Sequence, residues 1–329
     1  MARPRIFLAF AAEARRHYYR DGAVAGLQAL GEPRFNDSGA PLATPALIEA
    51  ARGCEVIVAD RATPGEAALF AALPRLAVFM RCAVDVRNID LPAASAQGVL
   101  VTHASAGFAN AVAEWALGMM LDLGRHLSDS VLHHRAGKPA PVRMGMELRG
   151  ATLGILGHGQ IGRRLAGIGR ALGMRVLVFD PHADVPETER CALDALLAQA
   201  DFTVCLAPAT PENANLMNAA RFAQMKRGAF FLNAARGELV DEAALRDALD
   251  SGHLAGCALD VGRAPDQMPS PALAAHPRVL ATPHTGGLTP QAVDHQAEET
   301  VAQLAQLLAG QIPAGALNPG EATRLAALR

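Results

Sequence analysis

Gly157-His158-Gly159-Gln160-Ile161-Gly162 is the stretch whose surroundings decide the fold. A short apolar run, Thr152-Leu153-Gly154-Ile155-Leu156, precedes it and reads as a β-strand. Residues 163–173 follow as a helix closed by glycine, and Arg175-Val176-Leu177-Val178-Phe179 is a second strand ending in Asp180. Strand, glycine turn, helix, strand and acid, in that order, lay a dinucleotide over a helix N-terminus. Gly157 permits the tight turn, Gly159 lets the backbone approach a pyrophosphate, and Gly162 lets the helix pack close to the sheet. Gln160 and Ile161 complete the phosphate-facing turn. Asp180 is placed to accept hydrogen bonds from a ribose diol and would repel a 2′-phosphate, so NAD is expected rather than NADP. The hexapeptide alone is a weak signal in a chain with 30 glycines; its frame makes it specific.

Composition narrows the remaining choices. A chain of 329 residues has room for two ordinary domains, and 51% hydrophobic with 19% charged residues describes a soluble globular protein. A net charge of −2 and the lack of a dense Lys/Arg run give no support for a nucleic-acid partner. Five scattered cysteines without a CxxC pair suggest neither a zinc site nor a disulfide framework, so no metal is expected and reduced thiols in the cytoplasm are the simplest account. The basic-then-apolar start is too short for a signal peptide and reads as a first strand. The most apolar helical stretch, residues 112–123, carries Glu114 and Asp122 and is too short to span a membrane.

Strands and helices alternate throughout. Strands are expected at residues 6–10, 55–59, 76–80 and 99–102, then at 202–206, 230–233, 257–261 and 279–281. Thr44-Pro45, Thr63-Pro64 and Thr210-Pro211 look like N-caps followed by proline at the first helical position. Residues 110–125 form a long helix, residues 290–308 another, and the 318–329 tail is expected to be loosely held.

Four blocks together carry a resemblance. They are Gly154 to Gly162; Met225-Lys226-Arg227-Gly228 with Asn233-Ala234-Ala235-Arg236-Gly237-Glu238-Leu239-Val240-Asp241-Glu242-Ala243-Ala244-Leu245; Ala258-Leu259-Asp260-Val261; and Thr282-Pro283-His284. Together they resemble the D-isomer-specific 2-hydroxyacid dehydrogenases, and the likeness extends over roughly residues 76–300. It implies two doubly wound α/β domains, with a Rossmann NAD-binding domain (104–288) inserted into a smaller flavodoxin-like substrate domain (1–103 plus 289–329). It implies that Arg236 holds a substrate carboxylate and polarises the carbonyl, a task suited to its planar fork. His284 is then the general acid/base, Asp260 binds the carboxamide side of the nicotinamide, and Ala207, Pro208, Ala234, Gly286 and Gly287 line the cofactor. Catalysis is expected in the cleft between domains, and the 110–125 helix is either a dimerisation helix, as in relatives, or a buried core helix.

Two departures stand out. Relatives carry a glutamate beside the histidine, and Pro265 occupies its place here. Asp266, one step on, either substitutes for it as a third catalytic residue or is a turn residue. Relatives also have a glycine-rich turn that receives the substrate carboxylate, whereas residues 81–90 contain none. Val84 does not easily take positive φ, and Asp85 would repel a carboxylate unless Arg87 neutralises it or the pair faces solvent. His103 and Ser105 are further candidates for the cleft. The leading expectation is an NAD-dependent oxidoreductase acting on a 2-hydroxy or 2-keto acid. An NAD-sensing, corepressor-like scaffold with little turnover is the second reading. Formate dehydrogenase chemistry fits less well, because Leu280 stands where those relatives have glutamine.

Overall fold

A computed structural model describes residues 3–328, with the side chains of Asp266 and Ala327 outside the described residues. The chain forms two compact units, Met1–Phe108 with Thr289–Arg329, and Ala109–Leu288.

The first unit holds strands β1 (Arg5–Leu8), β2 (Glu32–Phe35), β3 (Val56–Ala59), β4 (Val78–Arg81) and β5 (Leu100–His103). All are parallel, in the order β2-β1-β3-β4-β5. This is the flavodoxin-like doubly wound order. Parallel strands need crossovers that cover both faces, which is why β3 and β4 are buried along their whole length. Alternate residues feed opposite cores: Ile6, Leu8, Val56 and Val58 on one face, Phe7, Ile57 and Phe79 on the other. The crossovers are α1 (Ala12–Tyr18), α2 (Arg20–Leu30), α3 (Thr44–Ala50), α4 (Ala67–Ala72) and α5 (Leu91–Ala96).

In the second unit α6 (Ala109–Arg125) and α7 (Leu127–Arg135) precede β6 (Thr152–Leu156), α8 (Gln160–Ala171), β7 (Arg175–Phe179), α9 (Leu193–Gln199) and β8 (Phe202–Cys205). Then come α10 (Ala219–Gln224), β9 (Phe230–Asn233), α11 (Glu242–Asp250), β10 (Gly256–Leu259), α12 (Pro271–Ala274) and β11 (Val279–Ala281). The sheet order is β11-β10-β9-β8-β6-β7. A parallel bridge between Val178 and Arg190 adds the remnant of one more strand outside β7. Counting it, the order is that of a Rossmann sheet whose third strand has shrunk to one residue.

Helix α13 (Pro290–Leu308) returns to the first unit, where Ala297, Leu304 and Leu307 share a core with Ile6, Leu8 and Leu27. The Tyr19 hydroxyl and Thr300 Oγ1 meet at 2.8 Å in that core.

Several local expectations are corrected. Strand β2 was not expected from Glu-Pro-Arg-Phe; it forms because Pro33 lies on an edge strand, where a missing N–H costs little. Helix α3 begins at Thr44 itself, which donates to Glu66 instead of capping. Thr63 caps nothing either: its N–H and hydroxyl both donate to Asp60, and α4 starts only at Ala67. Thr210-Pro211 opens a single 3-10 turn. The tail is fastened rather than loose. Asn318 accepts from the Val101 N–H at 2.8 Å and donates to Val99 O, while the Arg324 guanidinium donates to Leu73 O and Leu76 O.

Candidate active site

The glycine turn sits where β6 and β8 part, the switch point of the second sheet. Gly157 has φ +103°, and a β-carbon there would lie 2.7 Å from Leu206 O and 2.8 Å from Ala207 N. Only glycine allows this approach, which sets the turn against Leu206 and Ala207. A β-carbon at Gly162 would collide with Gly157 O, so helix α8 rests on the turn. Gly159 is the N-cap without a side-chain cap, and no heavy atom lies within 4 Å of where its β-carbon would be. Open space before the uncapped amides of Gln160, Ile161 and Gly162 fits an anionic diphosphate.

Asp180 closes this end of the site. Its Oδ2 accepts from the His158 N–H at 2.7 Å, and its Oδ1 accepts from His182 N and Ala183 N at 2.9 and 3.0 Å. Burial works against its ionisation, but these three backbone N–H groups overcome that and hold the carboxyl below its usual value. The His158 side chain, unremarked in the sequence, is buried, and its Nδ1 has no hydrogen-bond partner among the described residues. Burial, then the Arg163 guanidinium, keep its pKa below the ordinary histidine value.

Two turns at the ends of β9 and β10 carry the other conspicuous residues. Asn233, the last residue of β9, accepts from Ala235 N at 3.1 Å and donates to Arg236 O at 3.0 Å. It thereby shapes the Ala234–Arg236 turn, a role its place in the sequence block did not reveal. Arg236 is half-buried and extended, and its Nη1 donates to Ala235 O. A β-carbon on Gly237 would overlap Gly262 O, so the Arg236 turn lies against the loop that follows β10. That loop folds back through Gly262 N to Gln267 O and Ala264 N to Met268 O, around the 3-10 turn Pro265–Gln267. Asp266 contributes backbone to this turn; its side chain lies outside the described residues.

Asp260 follows β10 and is buried. Its N–H donates to Asn233 O, which joins the two turns. Its carboxylate accepts three hydrogen bonds: Oδ1 from the Thr282 hydroxyl at 2.6 Å and from Thr285 N at 2.8 Å, and Oδ2 from Gly286 N at 2.9 Å. Thr282 in turn accepts from Trp115 Nε1 at 3.0 Å. His284 lies inside this loop with φ +56°, a left-handed conformation costly for a residue with a side chain, and its N–H donates to Thr282 O. Gly286 is buried against Asp260 and Trp115, and Gly287 follows it.

The 81–90 loop belongs to the first unit. Val84 is exposed and is not among the positive-φ residues, so the turn is built without the left-handed conformation a glycine would supply. Asp85 is neutralised: Arg87 Nε and Nη2 form a fork on its two oxygens at 3.0 and 2.8 Å. Behind it Arg81 is wholly buried, donating from Nη2 to Thr63 O and Asn88 Oδ1. Burial lowers its pKa to about 10, with Asp60 and Asp85 opposing the shift. His103 Nδ1 lies 3.0 Å from Ala104 O, and Ser105 is tied to His295 and Glu299 of α13. Among the described residues no His, Cys, Asp and Glu group has the arrangement of a metal site.

Residues 117–286 match the model of the D-isomer specific 2-hydroxyacid dehydrogenase NAD binding domain. The chain is 35% identical over 273 residues to D-3-phosphoglycerate dehydrogenase of Synechocystis, covering 81% of this chain and 49% of that protein. It is 36% identical over 280 residues to the Rattus norvegicus enzyme of the same name, covering 83% and 52%. It thus spans about half the length of these curated relatives. Among solved structures, a Thermus thermophilus protein superposes with a TM-score of 0.85 at 30% identity, and Escherichia coli D-lactate dehydrogenase with 0.82 at 26%. D-2-hydroxyisocaproate dehydrogenase superposes with 0.86 at 25%; each of the three comparisons covers 95% of this chain and 99% of the other. With the glycine turn, the acid after β7 and the Arg236 and His284 turns all in the matched framework, the chain belongs to the D-isomer specific 2-hydroxyacid dehydrogenase family and carries its NAD-binding domain.

Proposed function

We propose that this protein is an NAD-dependent oxidoreductase that interconverts a 2-keto acid and the corresponding D-2-hydroxy acid. The observation that carries the reading is the His284 turn: a histidine in a costly backbone conformation, held by a buried carboxylate beside the fold's cofactor-binding framework. The Ala109–Leu288 unit holds the cofactor. When bound, NADH supplies the hydride to the carbonyl carbon. Arg236 binds the substrate carboxylate through its fork and draws charge from the adjacent carbonyl. His284 gives its proton to the carbonyl oxygen in reduction and takes it back in oxidation. By resemblance, Asp266, on the tight turn after β10, is the residue of this chain that would stand in for the family glutamate.

Asp180 selects NAD, since its charge repels a 2′-phosphate. In the 81–90 loop Asp85 is already paired to Arg87 and Val84 is exposed, so the loop offers an apolar side chain rather than an unpaired carboxylate. Residues 121–144 leave Leu121, Leu127, Val131, Leu132, Val142 and Met144 exposed, an apolar content that suits a homodimer. Five free cysteines fit a reducing cytoplasm, and no helix among the described residues is long and apolar enough to cross a membrane. The sensing-scaffold reading gains nothing from these relatives, which are named as dehydrogenases. NADH oxidation against 2-keto acids graded from glyoxylate to bulky aryl and phosphorylated acids tests the proposal. Turnover on at least one acid is expected; tight NADH binding without turnover on any would favour the scaffold.

A further inference from the structure

We infer that Trp115 and Thr282 are positioning residues for His284, acting through Asp260. The inference rests on the proposed acid/base role of His284. The chain of contacts is continuous within one unit. The Trp115 indole N–H donates to Thr282 Oγ1 at 3.0 Å, which leaves the threonine hydroxyl hydrogen aimed at Asp260 Oδ1, 2.6 Å away. Asp260 then has both oxygens engaged by the loop that carries His284, through Thr285 N and Gly286 N. The His284 N–H closes the loop onto Thr282 O at 2.9 Å.

Each link has a physical task. His284 holds φ +56°, which an isolated chain would leave for the right-handed or extended regions. Amide donors on the C-terminal side of His284 and a hydroxyl two residues before it fasten the loop to one carboxylate, so the histidine's backbone is fixed from both sides. The carboxylate could swing about its own side-chain torsions, and the Thr282 hydroxyl stops this. The hydroxyl could rotate to another acceptor, and the indole N–H on its lone pair removes that freedom. The indole sits on α6, a helix of 17 residues with eight buried ones, and is therefore a rigid anchor. The carboxylate assigned by resemblance to the nicotinamide carboxamide thus also sets where the acid/base histidine stands.

The test compares Thr282→Val, which keeps the shape and removes the hydroxyl, with Thr282→Ser, which keeps the hydroxyl. Trp115→Phe, which removes the anchor's N–H along with part of its ring, is a second probe should the valine variant fold poorly. Two readouts are taken on the full-length protein. The first is amide exchange of Thr285 and Gly286. Exchange is expected to be roughly tenfold faster in Thr282→Val and in Trp115→Phe, and restored in Thr282→Ser. The second is steady-state reduction of the best 2-keto acid, with kcat falling about 10- to 100-fold in Thr282→Val. The KM for the acid should stay within about twofold, and Thr282→Ser should regain most of kcat. Unchanged exchange in both variants overturns the inference, as does a loss of activity that appears only in NADH affinity or that serine does not restore. If the wild-type protein reduces no acid, the functional proposal fails by itself, while the exchange data still decide whether the tether holds the loop.

Discussion

Gly286 and Asp260 fit together without slack: the glycine N–H donates to Asp260 Oδ2 at 2.9 Å, and a β-carbon at Gly286 would lie 2.8 Å from that same oxygen. Trp115 Cγ, 3.3 Å from the same point, blocks the other escape. Gly286→Ala must therefore displace the carboxylate or the loop. A loss of about 1–3 kcal/mol is expected from overpacking, read as a lower urea midpoint at unchanged m-value.

A similar conflict, with nothing flexible to relieve it, exists at Gly237. Its missing β-carbon would overlap the Gly262 carbonyl, a backbone atom. Gly237→Ala should push the Arg236 turn away from the loop after β10. The KM for the keto acid is expected to rise by an order of magnitude or more, about 1.4 kcal/mol per tenfold, while NADH affinity changes little. An unchanged KM would separate Arg236 from carboxylate binding.

Asp180 is organised for its task by three backbone donors before any cofactor arrives. In Asp180→Asn the charge is gone and one amide donor must be reoriented. The lost charge-assisted bonds, about 1.5–3 kcal/mol, correspond to roughly a 10- to 100-fold weaker affinity for NADH. Affinity for NADPH should fall less or rise, so the preference narrows. Calorimetric titration with both cofactors checks this.

His158 gives a pH signature. Burial and the Arg163 charge, against the opposing carboxylates of Glu189 and Asp180, keep its folded pKa below the unfolded value of about 6.5. The unfolded chain then binds more protons just below that pH, and stability falls as pH drops from about 6.5 towards the lower folded value. His158→Gln should flatten this part of the profile of midpoint temperature against pH. An identical slope in the two proteins would remove His158 from the acid sensitivity.

Asn318 ties the end of the chain to β5 by pairing with Val101 N and Val99 O. Asn318→Ala leaves both buried backbone groups without that partner. A destabilisation of about 1–3 kcal/mol is expected, together with earlier proteolysis of the tail.

The nucleotide half of this fold was legible because its signals are local. Glycine spacing, the strand on each side and the acid after β7 are short-range features, and the observed β6 and β7 have the expected bounds. The third Rossmann strand was invisible, since a single bridge at Arg190 leaves no run of alternating residues. Two of the three Thr-Pro pairs misled because the threonine hydroxyl found another partner, Glu66 for Thr44 and Asp60 for Thr63, whereas Thr210 does precede a turn that opens with Pro211. The acid in the 81–90 loop was legible as a problem and Arg87 as one of its two remedies, because the two residues are near neighbours in sequence; the fork of Arg87 on Asp85 is the remedy found. The ties from Trp115 to Thr282 and from Asn233 to Asp260 join segments far apart in sequence, so no spacing rule could reveal them.

The most direct test of the central claim follows the hydride and the proton together. NADH deuterated at the transferring position of its nicotinamide is incubated with the best 2-keto acid, using wild-type protein and His284→Ala, and the product is examined by mass and by chiral chromatography. The wild-type protein should yield a 2-hydroxy acid with one deuterium at C2 and the D configuration, and His284→Ala should slow its formation by at least about 100-fold. Product of the L configuration, product without deuterium, or equal rates in the two proteins would contradict the account.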